Sequence, residues 1–258
     1  MTPPKVLIIS TGSRSCDNDL PIRKRKRTDI TSVNEQQAPA QTSNCPQYLN
    51  TRMTPGLLMQ FIKSNPSEQQ ITDITSMDFD GLLKLKTDKV PGSLAYWLVS
   101  TFDTCSCSLM DEKLRISDED IHLATGIPMG TNKIDLASTS DKCERFLEAK
   151  RVWLTQFGND TKVRTKQILD KIIEQRGGGV DLKRNFVVFI VSSFLMGVRS
   201  ATASLRILKS LYEIESVSSF NWCAFTRKQW VESVDVWQRN RDPNALFGGP
   251  IMVLVIPR

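Results

Sequence analysis

Phe186-Val187-Val188-Phe189-Ile190-Val191-Ser192-Ser193-Phe194-Leu195-Met196-Gly197-Val198 is the longest apolar stretch of this 258-residue chain, interrupted only by two serines and a glycine. A helix written this way is hydrophobic on every side, so other elements must surround it. Its 13 residues fall short of the roughly 20 that a membrane-spanning helix needs. The reading is a buried central helix over about Leu182–Val198, with amphipathic helices from the rest of the chain packed around it.

Those helices can be read outward from it. Gly177-Gly178-Gly179 ends a helix over Arg164–Arg176, and another is expected over Cys143–Phe157. Downstream, Asn221 can cap a long helix from Trp222 to about Asn240. Cys223, Trp230, Val234 and Trp237 share one of its faces, and Lys228, Glu232, Asp235 and Arg239 the other, at the i,i+4 spacing of a solvated surface. Upstream, Thr54-Pro55 can start a helix holding Leu57, Leu58, Phe61 and Ile62, which breaks at Asn65-Pro66. Ser67 can cap a second helix with Ile71 and Ile74, and Phe79, Leu82, Leu83 and Leu85 add a short apolar turn. Pro91 opens a helix with Leu94, Trp97, Leu98 and Phe102; Leu114-Arg115-Ile116 is extended. Ser117 with Asp120 caps the next helix, which stops at Gly126-Ile127-Pro128. Asn132–Asp141 is polar and reads as a mobile loop. The apolar run Ile251–Ile256 leaves two readings open: it docks as a last helix or strand, or the chain is a fragment of something longer. The fold class is therefore mainly α, a multi-helix globular domain over 51–258 with one or two short strands.

Residues 1–50 are of another kind. They carry seven basic and four acidic side chains, one aromatic, and the run Arg23-Lys24-Arg25-Lys26-Arg27. Such a segment cannot bury enough apolar area to offset chain entropy and is expected to be a disordered basic tail. The run fits a nuclear-import signal or a phosphate-binding arm. Residues 51–258 are nearly balanced, with 27 basic and 24 acidic side chains. Val6-Leu7-Ile8-Ile9 is too short for a secretory signal, and six scattered cysteines do not make a disulfide scaffold, so reduced intracellular thiols are expected.

Several blocks then occur in a familiar order: Phe79-Asp80-Gly81-Leu82-Leu83-Lys84-Leu85-Lys86, Pro91 with Trp97-Leu98 and Phe102, Gly126-Ile127-Pro128-Met129-Gly130, Phe220-Asn221-Trp222-Cys223-Ala224-Phe225, and Gly249-Pro250-Ile251. Over about residues 50–256 the chain resembles the plant mobile domain, often labelled aminotransferase-like, in the version found upstream of plant transposon-derived ubiquitin-like (SUMO-type) protease domains. The resemblance implies a helical domain of mobile-element ancestry, nuclear association, and links to transposon silencing or genome maintenance. It brings no established active site. The aminotransferase label itself has no support in the residues, because a pyridoxal-phosphate enzyme needs a Schiff-base lysine, a phosphate cup and a large α/β framework.

Three chemistries can be drawn from the remaining residues. A cysteine protease would need His122 as base and Cys223 as nucleophile, yet Cys223 reads as a packed core thiol. Zinc could be drawn from Cys105, Cys107, Cys143 and His122, but one residue between Cys105 and Cys107 is too few for a knuckle. A nucleic-acid partner fits the sequence pI near 9.0 and the basic tail. Against stacking, the five tryptophans fall at helical spacings that place them in a core. No residue is assigned to catalysis, a metal or a cofactor. The expected function is a non-catalytic nuclear interaction or scaffold module with an unidentified protein partner, weak nucleic-acid contact through the tail, and no membrane. The alternatives are an accessory fragment of a ubiquitin-like-protein-specific cysteine protease, or a nucleic-acid-binding protein using its tail.

Overall fold

The computed structural model describes residues 48–51, 53, 55–86, 89–110, 113–196, 201–240 and 246–255. The basic run Arg23–Arg27, the Thr54 cap, Val198 and Ile256 lie outside the described residues. What is described belongs to one unit, Pro46–Arg258. It is mainly α: α1 (Pro55–Lys63), α2 (Glu68–Ser76), α3 (Asp80–Leu83), α4 (Gly92–Thr101), α5 (Asp118–Thr125), α6 (Glu144–Thr155), α7 (Thr165–Glu174), α8 (Val180–Ile190) and α9 (Trp222–Asn240). Among the described residues one antiparallel pair of strands, β1 (Ser108–Leu109) with β2 (Leu114–Arg115), interrupts them, in the register Ser108 opposite Arg115 and Leu109 opposite Leu114.

α8 is the centre. Leu182, Asn185 and every residue from Phe186 to Val191 have no exposed surface. Burial of each apolar side chain there contributes about 1.5–3 kcal/mol, which overrides the weak helix propensity of Val187, Val188 and Ile190. α2 and α7 pack directly on α8, and α6 packs on the 3-10 turn Leu205–Lys209 beside it. The helix is shorter than its apolar run. From Val191 to Leu195 the chain widens into a π turn, closed by Met196 N–H on Val191 O at 2.9 Å. The two serines bear on this change: Ser193 Oγ donates back to Phe189 O at 2.7 Å, and Ser192 Oγ accepts Ser204 N–H at 2.9 Å. Side-chain bonds of this type compete with the regular ladder, and single π turns relieve the competition.

The helix starts follow the cap chemistry. Ser67 with Gln70 and Ser117 with Asp120 form capping boxes, and Asn221 Oδ1 accepts Ala224 N–H at 2.7 Å. Ile71, placed on α2 with Ile74, is 41% exposed whereas Ile74 is fully buried. α2 is covered on one side only, and Ile71 lies off that stripe. On α9 the Lys228–Glu232 pair (3.6 Å) and the Asp235–Arg239 pair form on the outer face.

Two expectations are corrected by tertiary contacts. The segment Asn132–Asp141 is pinned rather than loose. Asn132 exchanges backbone hydrogen bonds with Ser219 and Asn221, Ala137 N–H donates to Arg206 O at 3.0 Å, and Lys209 bridges Asp135 (2.8 Å) and Asp141 (2.9 Å). Ile134 and Ala137 thereby enter the main core, and their polar neighbours had hidden them in the sequence. Trp97 and Trp237, assigned to the core, are half-buried; Trp153, Trp222 and Trp230 are at most 1% exposed. α4 is a peripheral helix packed on α9, so Trp97 has neighbours on one side only.

The apolar C-terminal run docks. Ile251–Leu254 form a 3-10 turn whose first three residues are buried, with Ile251 in a second, smaller core and Met252 and Val253 in the main one. Leu49, which the composition assigns to the tail, is buried in the same smaller core and donates its N–H to Gly92 O at 3.0 Å.

Candidate functional site

Three of the sequence blocks singled out above converge on one node. Phe79 lies edge-on to Trp222 with ring centroids 5.4 Å apart, and Gly81 on α3 lies back to back with Gly126 at the end of α5. A Cβ on Gly81 would sit 2.5 Å from the Gly126 Cα, and one on Gly126 would sit 2.7 Å from the Gly81 Cα. Gly126 also needs φ +67, the left-handed conformation that closes a helix. The Gly126–Gly130 block then runs beside the start of α9. Trp222 N–H donates to Pro128 O (3.1 Å), Gly130 N–H donates to Phe220 O (3.1 Å), and a Cβ on Gly130 would fall on the Ser219 carbonyl.

An ion pair closes the node. Arg227 Nε lies 2.6 Å from Asp118 Oδ1, and Asn221 Nδ2 donates to Asp118 Oδ2 at 3.4 Å. Asp118 holds the Arg227 guanidinium above its ordinary pKa. No local pattern could have revealed this pair, whose members are 109 residues apart. The glycines were the readable signal, since each marks a backbone approach too close for a side chain.

Of the other motif residues, Leu82, Phe102, Ile127, Pro128, Phe225, Gly249 and Pro250 are buried, Leu83, Gly126, Phe220 and Asn221 half-buried, and Pro91 exposed. Trp97 and Phe102 lie on or beside α4 and join the smaller core rather than the node, and Pro91, expected among the core motif residues, stays in solvent at the start of α4 because it caps the helix from outside.

The nucleophile and base candidates do meet here, but on a shared backbone atom. His122 Nδ1 lies 2.7 Å from Ile127 O, and the Cys223 thiol donates toward Ile127 O (3.6 Å) and Pro128 O (3.7 Å). Burial pushes the Cys223 thiol up to about 12, with Asp118 and Glu119 adding to the shift. A thiol held protonated in a dry core is a poor nucleophile. Cys105 and Cys143 are exposed and Cys107 is half-buried. Among the described residues no group of three or more His, Cys, Asp or Glu is arranged to hold a metal ion. Gly178 and Gly179 have φ +69 and +100 and make the turn between α7 and α8. Gly179 N–H donates to Asp73 Oδ2 at 2.5 Å, so a side chain of the protein itself occupies the donor that a phosphate would use.

Among the described residues, a cleft of about 410 Å³ lies between α1 and α7 over Met59, Lys63 and Ile173, and another of about 230 Å³ lies over Met53, Val90 and Met252. No helix among the described residues is long and apolar enough to cross a membrane.

A family model, described as a domain of unknown function (DUF8566), matches residues 51–255. The chain belongs to the DUF8566 family. The DUF8566 match takes in all nine α-helices described here, the node and the docked Ile251–Leu254 turn. No curated protein and no solved structure matches the chain.

Proposed function

We propose that this DUF8566 chain is a non-catalytic nuclear interaction module of mobile-element ancestry, akin to the plant mobile domain, which binds a protein partner through its helical surface. The reading is carried by one observation. The sole imidazole and the buried thiol at the motif node are both engaged with the Ile127 carbonyl, and the thiol is held protonated. The motif blocks thus serve to join α3, α5 and α9, which leaves function to the outer surface. That surface offers residue types enriched in protein contacts: Arg145 of α6 stacks on Tyr212, itself 51% exposed, at 5.2 Å. Nuclear entry is assigned to Arg23–Arg27, and a link to transposon silencing or genome maintenance follows from the resemblance.

The test is affinity capture from plant nuclei with the full chain as bait, with mass spectrometry of what stays bound at moderate salt. A discrete protein partner is the expected result. Recovery of nucleic acid alone, with steep salt dependence lost on replacing Arg23–Arg27 by Ala, overturns the reading in favour of a nucleic-acid-binding tail.

A further inference from the structure

Two thiols lie two residues apart on the turn between α4 and β1. The turn is closed by paired backbone hydrogen bonds between Asp103 and Ser108 (2.8 and 3.2 Å). Cys105 is exposed. Cys107 is half-buried against the smaller core, and its Sγ lies 3.8 Å from Nη1 of Arg227, the arginine that Asp118 holds. The four described cysteines therefore differ in kind: Cys223 is sealed in the core, Cys105 and Cys143 are open to solvent, and Cys107 combines partial exposure with a guanidinium at its sulfur and a second thiol on its own turn. Electropositive, partly exposed sites with a neighbouring thiol are where cysteine oxidation is selective and reversible.

We infer that Cys107 and Cys105 form a redox-sensitive pair, oxidised by hydrogen peroxide to a disulfide that breaks the contact between the turn and Arg227. In the first step the Cys107 sulfur, its proton lost to solvent, attacks one peroxide oxygen. An S–O bond forms, the O–O bond breaks, and the departing hydroxide takes up a proton and leaves as water. Sulfur is oxidised by two electrons and peroxide reduced by two. Arg227 supplies positive charge beside the sulfur while negative charge collects on the leaving oxygen. In the second step the Cys105 sulfur attacks the sulfenic sulfur, the S–S bond forms, the S–O bond breaks, and the hydroxyl leaves as water with the Cys105 proton. Cys107 then no longer faces Arg227, and α9 loses that contact with the turn, while the Gln238 bond to Phe102 O (2.8 Å) and the pair with α5 through Asp118 remain. The switch acts on the smaller core, independently of the partner proposed above.

The experiment exposes the reduced full chain to graded hydrogen peroxide near neutral pH, quenches with an alkylating reagent, and reads each cysteine by peptide mass spectrometry. Cys107 should be lost roughly tenfold faster than Cys143, and the peptide holding Cys105 and Cys107 should become about 2 Da lighter, as an internal disulfide requires. Equal rates at Cys107 and Cys143 overturn the inference, and so does conversion of Cys107 to sulfinic acid with no disulfide. Arg227→Gln should slow loss of Cys107 roughly tenfold and leave Cys143 unchanged. An unchanged Cys107 rate in a variant with native circular dichroism also overturns it. The ranking in the unsubstituted chain stands as a test even where that variant does not fold.

Discussion

The molecule holds two cores built on different plans, and α9 runs through both. Its first turns place Trp222, Cys223 and Phe225 in the main core around α8; its later turns place Trp230 and Val234 in the smaller core with Phe102, Leu109, Phe247 and Ile251. In the main core the buried indoles are satisfied. Trp222 Nε1 donates to Val217 O (2.8 Å) and Trp153 Nε1 to Asn185 Oδ1 (2.7 Å), while Asn185 in turn donates to Gln156 and Gln175. In the smaller core Trp230 Nε1 and Trp237 Nε1 have no hydrogen-bond partner among the described residues. A continuous apolar run organises the first, whereas short pieces distant in sequence assemble the second. The difference teaches where stability should concentrate: in α8 and its neighbours, with α4 and the β1–β2 hairpin opening earlier.

The comparison can be broken most directly at its tryptophans. Trp222→Ala should cost about 3–5 kcal/mol in urea unfolding, and Trp97→Ala about 1–2 kcal/mol. Equal losses would mean that the two cores are one. At the joint between motif blocks, Gly126→Ala forces α3 away from α5 and puts a side chain at φ +67, for about 2–3 kcal/mol by the same measurement; a neutral result would remove the close approach.

Conservative changes sharpen the contrast further. Trp222→Phe should lose about 1–2 kcal/mol because the short indole bond to Val217 O (2.8 Å) is lost and only the Phe220 N–H (3.3 Å) remains on that carbonyl, whereas Trp230→Phe removes an unpartnered N–H and should stay within about 1 kcal/mol of the unsubstituted chain. A larger loss at Trp230 would sink the distinction. The smallest effect is alkaline. Cys223 holds its proton up to about 12 in the fold and releases it near 9.0 when unfolded, so the native state binds more protons in that window. The stability this contributes is complete below about pH 9 and is lost as pH rises toward 12. By pH 10 the loss should reach about 1 kcal/mol, and Cys223→Ala should abolish that part of the slope in denaturant titrations at stepped pH.

Much of this architecture was legible because local signals agreed with it. Ser67, Ser117 with Asp120, and Asn221 cap the helices they were assigned to, and Cys223, Trp230 and Val234 of the assigned α9 face turn inward. Illegible features have long-range causes. Asn132–Asp141 looks solvated until Lys209, Arg206 and Ser219 are brought beside it. Trp97 has the spacing of a core residue, but its burial depends on how many elements reach α4. At the node, His122 and Cys223 could be paired on paper as base and nucleophile, and it took the Ile127 carbonyl between them to show how each is used.

The sequence by itself determined that this is a helical protein with one all-apolar helix at its centre, since residue period, cap chemistry and glycine stops are properties of neighbours along the chain. It also set the glycines at which helices could approach most closely. Only the tertiary structure decided which glycine meets which, that Asp118 pairs with Arg227, that Ile251–Leu254 docks, and that a second core forms around Trp230. Contacts between residues a hundred positions apart carry no period for a sequence to display, and their energies come from surfaces that exist only once the helices have packed.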